Sequence, residues 1–133
     1  MDRKDVFNSP QAAEDKKRRG EERENYIRDW LYKQGIKYER DAGAKDGKKV
    51  DFLLDEPMLY DGRKICWIES KASFGDEEAL RSDSGQLRSF SESFGPGLVV
   101  YWMGYIDGMD CPEGLYISDI SVLEKKLEKP SGQ

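Results

Sequence analysis

Three ionisable residues near the middle of the chain, Asp51, Glu69 and Lys71, sit in stretches that otherwise read as buried strands, "KVDFLL" and "KICWIESKA". Taking each ion out of water costs several kcal/mol, so their presence in core elements needs a reason. Alternate residues of a strand share a face, which puts Ile65, Trp67, Glu69 and Lys71 on one side and Cys66, Ile68, Ser70 and Ala72 on the other. In "KVDFLL" Val50, Phe52 and Leu54 take one face and leave Asp51 on the opposite one. If the two strands pair antiparallel, Asp51 approaches Glu69 across the ladder, and two carboxylates converge with one amine. Close carboxylates repel, and a divalent cation between them removes that penalty. Aspartate, glutamate, a main-chain carbonyl and waters make the hard oxygen shell that Mg²⁺ prefers, completed by phosphate oxygens of a substrate. The lysine cannot be a ligand. Its ammonium stabilises charge developing at phosphorus or takes part in activating the attacking water. The same residues would also make a structural ion-pair network. A glycoside-cleaving carboxylate pair needs only Asp51 and Glu69 and leaves Lys71 without a role.

Composition narrows the chemistry. The sequence contains no histidine, which removes the commonest general base and transition-metal ligand and every Ser-His or Cys-His scheme. Two cysteines, Cys66 and Cys111, suggest neither a zinc site nor a disulfide framework. Catalysis must then use carboxylates, lysine or an oxygen-bound metal ion. The net charge of −5 argues against a general polyanion binder, yet Lys16, Lys17, Arg18 and Arg19 are contiguous and Lys45, Lys48 and Lys49 form a second basic group. Such patches hold phosphates even on an acidic protein, or are simply a solvated surface. With 133 residues the chain suits one domain. No stretch is apolar for long enough to span a bilayer and the N-terminus lacks a signal-like apolar segment, so an intracellular location, cytoplasmic or nuclear, is expected with no membrane association.

The elements that must position these residues follow from pattern. Ser9-Pro10 marks a helix start, with Tyr26, Ile27, Trp30 and Leu31 at amphipathic spacing; the structured part is expected from about Gly20, ending at Gly35. On this helix Glu24 borders the apolar arc and can face a sheet, or merely pair with Arg28. "IKYER" is a strand candidate, "DAGAKDGK" a loop, "KVDFLL" a strand bounded by Pro57, and "KICWIESKA" a third strand. "FGDEEALRSDSGQ" reads as a loop or frayed helix before a helix from about Ser84 carrying Leu87, Phe90 and Phe94. "GLVVYWMGYI" is a central strand, "GLYISDI" an edge strand, and "ISVLEKKLEK" a final helix. The sum is an α/β fold, a mixed sheet of four to five strands flanked by helices, forming a single domain over 1–133 with its core at about 20–118 and flexible ends at 1–8 and 129–133.

Glutamate on a helix, aspartate at a strand start and Glu-x-Lys on the next strand resemble the PD-(D/E)XK nuclease superfamily. "WIESKASFGDE" and "FGPGLVVYW" followed by "DC" closely resemble its TPD-motif family, that of the codanin-interacting nucleases, over about Gly20 to Cys111. "GEERENYIRDWLYKQGIKYE" through "DFLL" is similar to the opening of phage-type endonuclease I, a junction-resolving enzyme. The resemblance implies a restriction-endonuclease-like core and catalytic places at Glu24, Asp51, Glu69 and Lys71. It further implies the Ser70 carbonyl as a metal ligand beside Asp51 and Glu69, and Gln86 as the glutamine of a helical Q-x-x-x-Y element. Two departures stand out: Thr-Pro-Asp is here Lys49-Val50-Asp51, and the tyrosine of the helical element is Phe90.

These readings lead to one expectation: a DNA endonuclease dependent on Mg²⁺ or Mn²⁺, leaving 5′-phosphate products and selecting forks, flaps or junctions by shape. Lys16, Lys17, Arg18, Arg19, Lys48, Lys49 and the loop residue Phe74 are the candidate DNA contacts. Trp67, Tyr101 and Trp102 are expected in the core. A homodimer is expected from the superfamily's habit and from the polar first half of the N-terminal helix. The rival is a nuclease-fold module without catalysis that binds branched nucleic acid or a protein.

Overall fold

The computed structural model describes residues 9–130. Its first element, α1 (Pro10–Lys33), starts where Ser9 Oγ accepts the Ala12 N–H at 3.1 Å. The helix runs unbroken through Gly20 rather than beginning there, although its first half contributes nothing to the core. Ile27, Trp30 and Leu31 are its buried stripe.

Three strands follow as a meander, β1 (Tyr38–Gly43), β2 (Lys49–Tyr60) and β3 (Arg63–Lys71), each antiparallel to the last. The second helix, α2 (Glu77–Phe94), crosses over to β4 (Gly97–Tyr101), which lies parallel to β3. β5 (Leu115–Ser118) is a parallel edge strand, and a short 3₁₀ turn, Ile120–Glu124, closes the described chain. The sheet order is β1-β2-β3-β4-β5. α1 and the 3₁₀ turn cover one face, with Phe52, Ile68, Leu98 and Val122 in the core beneath. α2 covers the other over Trp67, Leu87, Phe90, Val99 and Tyr101. The expected α/β architecture, a mixed sheet flanked by helices, is the one observed.

Several local expectations give way. α2 begins at Glu77, not near Ser84, because Asp76 caps it, accepting the Ala79 N–H at 2.8 Å, and Glu77 and Glu78 sit in the favourable first turn. β2 passes through Pro57, which falls inside a register shift between Leu53 and Met58 where a missing N–H does no harm. That irregularity turns Ile65 away from Trp67 and into the α1-side core. Val50 likewise packs on the α2 side, apart from Phe52 and Leu54, since β1 is irregular at Asp41, where φ is +56°. β4 is interior and fully buried but stops at Tyr101. The C-terminal stretch is not a helix: Leu127 N–H donates to Gln34 Oε1 at 2.7 Å, Trp30 Nε1 donates to the Lys125 carbonyl at 2.8 Å, and Glu128 bridges to Leu59. Tying it to α1 and β2 buries both Val122 and Leu127. The ends expected to be flexible fall largely at 1–8 and 131–133, outside the described residues, while Lys129 and Pro130 follow directly on the bridged Glu128.

Gly97 shows how tightly the site's strand is held. A Cβ there would come within 1.9 Å of the Trp67 indole, whose Nε1 donates to the Gly95 carbonyl at 2.8 Å. The glycines of "FGPGL" therefore end α2 and let β4 close on β3.

Candidate active site

β2 and β3 pair from Tyr60 opposite Arg63 to Phe52 opposite Ile68, and there the ladder stops. At the next position side chains replace the backbone partners: Asp51 N–H donates to Glu69 Oε1 at 2.9 Å, and Ser70 N–H donates to Asp51 Oδ2 at 2.8 Å. β2 continues with β1 as far as Lys49, while β3 continues with β4 as far as Lys71 opposite Tyr101. The sheet forks at this point, with the two carboxyl groups in the fork. Glu69 is only 5% exposed.

Both acids feel the crowding. Burial first, and then the charge of Asp51, push the Glu69 carboxyl up to about 8. Burial raises Asp51 too, against the Ser70 N–H and a hydrogen bond shared with Glu69 that pull it down. Such a pair holds a proton between its two groups, as buried carboxyls in contact must. Lys71 Nζ stands 3.7 Å from Glu69 Oε2, 2.5 Å from Gln86 Oε1 on α2, and 4.0 Å from Asp83 Oδ1. Of the residues expected from sequence, Asp51, Glu69, Ser70, Lys71 and Gln86 thus come together.

Glu24 arrives differently. Its carboxylate forms an ion pair with Arg40, not with Arg28, which pairs instead with Asp29. Burial raises the Glu24 carboxyl, followed by the Asp51 charge, which marks it as a neighbour of the pair. Arg40 was not singled out by the sequence, yet it also donates through Nε to the Asp51 carbonyl at 2.9 Å and lies 4.4 Å over the Phe52 ring. Asp83 was missed as well; it accepts the Tyr101 hydroxyl at 2.8 Å while facing Lys71. Neither has a local signature, for a charged residue in a strand or helix acquires its partners only through the tertiary fold.

The basic candidates stay at the periphery. Lys16, Lys17, Arg18 and Arg19 lie exposed on the free half of α1, with Arg18 paired to Asp15. Lys48 and Lys49 are exposed at the β1–β2 turn, two or three residues before Asp51. Phe74 projects from the loop after β3, 44% exposed. Trp67 and Tyr101 are core residues, and Trp102 packs partly buried against the α1-side core.

The donor set suits a hard divalent cation. Among the described residues no group of three or more His, Cys, Asp and Glu side chains could hold a metal ion, so the protein's share would be two carboxylates with a main-chain oxygen. A cation bound between two buried acids would take the place of a proton there.

A sequence profile described as "Protein of unknown function TPD sequence-motif" matches residues 1–121. The protein named CDAN1-interacting nuclease 1 is 45% identical in Mus musculus over 96 residues, 69% of this chain and 34% of that one. In Xenopus laevis the figures are 38% over 121 residues, 86% and 40%. In Homo sapiens they are 44% over 98 residues, 69% and 34%. The chain therefore spans well under half the length of these relatives. Among solved structures, a repair endonuclease from Pyrococcus abyssi superposes with a TM-score of 0.45 at 18% identity, over 80% of this chain and 47% of that one. A profile match running from the first residue to beyond β5, through α1, the forked strands and α2, makes this chain a member of the TPD sequence-motif family.

Proposed function

We infer that this chain is a nuclease domain of the PD-(D/E)XK kind, a divalent-metal-dependent endonuclease that hydrolyses phosphodiester bonds in DNA and selects branched or splayed structure. The observation that carries this is the Asp51–Glu69 carboxyl pair, buried at the fork of the sheet with the Lys71 ammonium 3.7 Å from Glu69. That the relatives are named as nucleases agrees with it.

Asp51, Glu69 and the Ser70 carbonyl would hold Mg²⁺ or Mn²⁺. When bound, the ion supplies Lewis-acid activation of water and neutralises the scissile phosphate. The chain's own residues do the rest. Asp51 and Glu69 give up their shared proton and are held in place by the N–H groups of Ser70 and Asp51. Lys71, fixed by Gln86, presents a positive charge to the phosphorus oxygens as negative charge builds on them. Arg40 anchors the Asp51 carbonyl and Glu24 together, so that the β2 side of the fork keeps its spacing from β3. Lys16, Lys17, Arg18, Arg19, Lys48 and Lys49 offer charge to the flanking phosphates. The exposed half of α1 would serve a second copy of the chain or the DNA, and light scattering over a range of concentration reads which.

Labelled linear, forked, flapped and four-way DNA incubated with Mg²⁺, and with EDTA in its place, tests the proposal. Cutting of the branched substrates that needs the metal and drops by about 100-fold or more in Lys71→Ala and Asp51→Asn is expected. Undiminished cutting by those variants, or by the protein in EDTA, rejects the site. Binding without cutting under all metals leaves the second reading, a non-catalytic module, which the changes at Val50 and Phe90 favour.

A further inference from the structure

Several large apolar side chains stay exposed on segments next in sequence to the site residues. Of the exposed large apolar residues, Tyr26 is on the helix that carries Glu24, Phe74 is on the loop after Lys71, and Met103 and Ile106 follow β4. Tyr26 is two residues from Glu24 and 58% exposed, and its ring is tilted against Trp102 with centroids 6.1 Å apart. Trp102 is built into the site's own strands. Its N–H donates to the Lys71 carbonyl at 2.9 Å and its indole Nε1 to Ser70 Oγ at 2.6 Å. Phe74, three residues beyond Lys71, lies over Gly104, where a Cβ would meet its ring at 3.6 Å.

The loops that carry these residues are fastened to one another. Gly75 N–H donates to the Gly104 carbonyl at 2.8 Å, and Ile106 N–H donates to the Gly75 carbonyl at 3.0 Å. Gly75 also presses against the Tyr101 ring, so closely that a Cβ there would stand 2.6 Å from it. Phe74 is thus 44% exposed on a loop whose backbone is fastened at the next residue, and a ring on a fixed backbone loses less entropy when it binds.

We propose that this rim, Tyr26 and Trp102 with Phe74 across the fork, stacks the unpaired bases of a nucleic-acid strand beside the carboxylate pair, so that the substrate class is a strand unpaired at the cut. The proposal rests on the nuclease reading for what happens to that strand, but not for its binding. The occupant follows from continuity with the candidate site: Trp102 is bonded to both Ser70 and Lys71, so a strand lying on its ring borders the residues proposed to act on it. Stacking on aromatic rings accepts any base, which suits a domain with little apparatus for reading base edges.

Fluorescence anisotropy of the full chain in EDTA, where nothing is cut, tests it. The probes are a labelled mixed-sequence single-stranded DNA, its RNA counterpart and its blunt duplex. The single strand should bind at least about ten-fold tighter than the duplex. Phe74→Ala and Tyr26→Ala should each weaken single-strand binding by roughly five- to a hundred-fold, with duplex binding nearly unchanged. Phe74→Trp should retain it, and Tyr32→Ala should change neither. A DNA or RNA preference decides which strand the rim serves. Equal loss on single strand and duplex, or no loss on either, overturns the proposal and leaves the rim as a face for a protein. Base stacking without any metal-dependent cutting would sink the nuclease reading and spare the rim; cutting with unaffected variants would do the reverse.

Discussion

Glu69 is the residue whose environment says most. Its carboxyl titrates at about 8 in the fold against an ordinary 4.5, so between those values the folded protein holds a proton that the unfolded chain has released. Stability of the metal-free protein must therefore fall as pH rises from about 4.5 to 8, the reverse of an ion-paired carboxylate. Thermal melts in EDTA should show the midpoint dropping across that window. Mg²⁺ should flatten the profile, and Glu69→Gln should remove most of the slope, while a melt independent of pH would contradict the buried pair. A cation bound there as proposed would displace a proton, so its affinity should rise over the same window, with proton release visible by calorimetry in buffers of different ionisation enthalpy. Arg40 makes a second prediction at this scale. Arg40→Ala should cost about 1 kcal/mol of stability, tempered by its partial exposure, and lower activity; Arg40→Lys should not restore it, because one ammonium cannot serve both Glu24 and the Asp51 carbonyl. The meeting of Asp51 with Glu69 was legible in sequence because antiparallel pairing of β2 with β3 carries both to the end of one ladder, even though alternation breaks at Val50 beside it. The grip of Arg40 was not, since it joins three elements through one side chain.

At the scale of elements, the apolar runs announced β3 and β4 because strands buried on both faces carry their own signal. The strand faces were misjudged at Val50 and Ile65, each beside an irregularity that no alternation rule anticipates. "ISVLEKKLEK" has helical spacing, but only Ile120–Glu124 coils, as a 3₁₀ turn, and from there Trp30 and Gln34 claim the Lys125 carbonyl and the Leu127 N–H and draw the rest out straight. α2's early start was written in Asp76 and its two following glutamates, a polar signal outweighed by the scarcity of apolar residues. The tightest junction is Gly97 under Trp67. Gly97→Ala should lower stability by about 3 kcal/mol or more, a fall in melting temperature on the order of 10 °C, since indole and β4 cannot both stay in place. An unchanged melt would mean that the strands have slack there.

For the whole molecule, the uneven charge is the feature with consequences. No helix among the described residues is long and apolar enough to cross a membrane, and the net charge of −5 coexists with a four-residue basic run on the half of α1 that adds nothing to the core. Changing Lys16, Lys17, Arg18 and Arg19 to glutamine should leave folding intact and reduce the salt dependence of duplex-DNA binding, by about 3.6 in the slope of log K against log salt if all four meet phosphates. An unaltered slope would assign the run to solvent. The fork in the sheet carries a last consequence. The two acids there stand in for missing amide–carbonyl pairs, so on the proposed nuclease reading the same oxygens serve as cement and as chemistry. A descendant that abandoned cleavage would still need them to keep its strands joined, and could most cheaply fall silent by changing Lys71. Within this lineage, a preserved pair of acids testifies to architecture, and the lysine beside them is the better witness to a living enzyme.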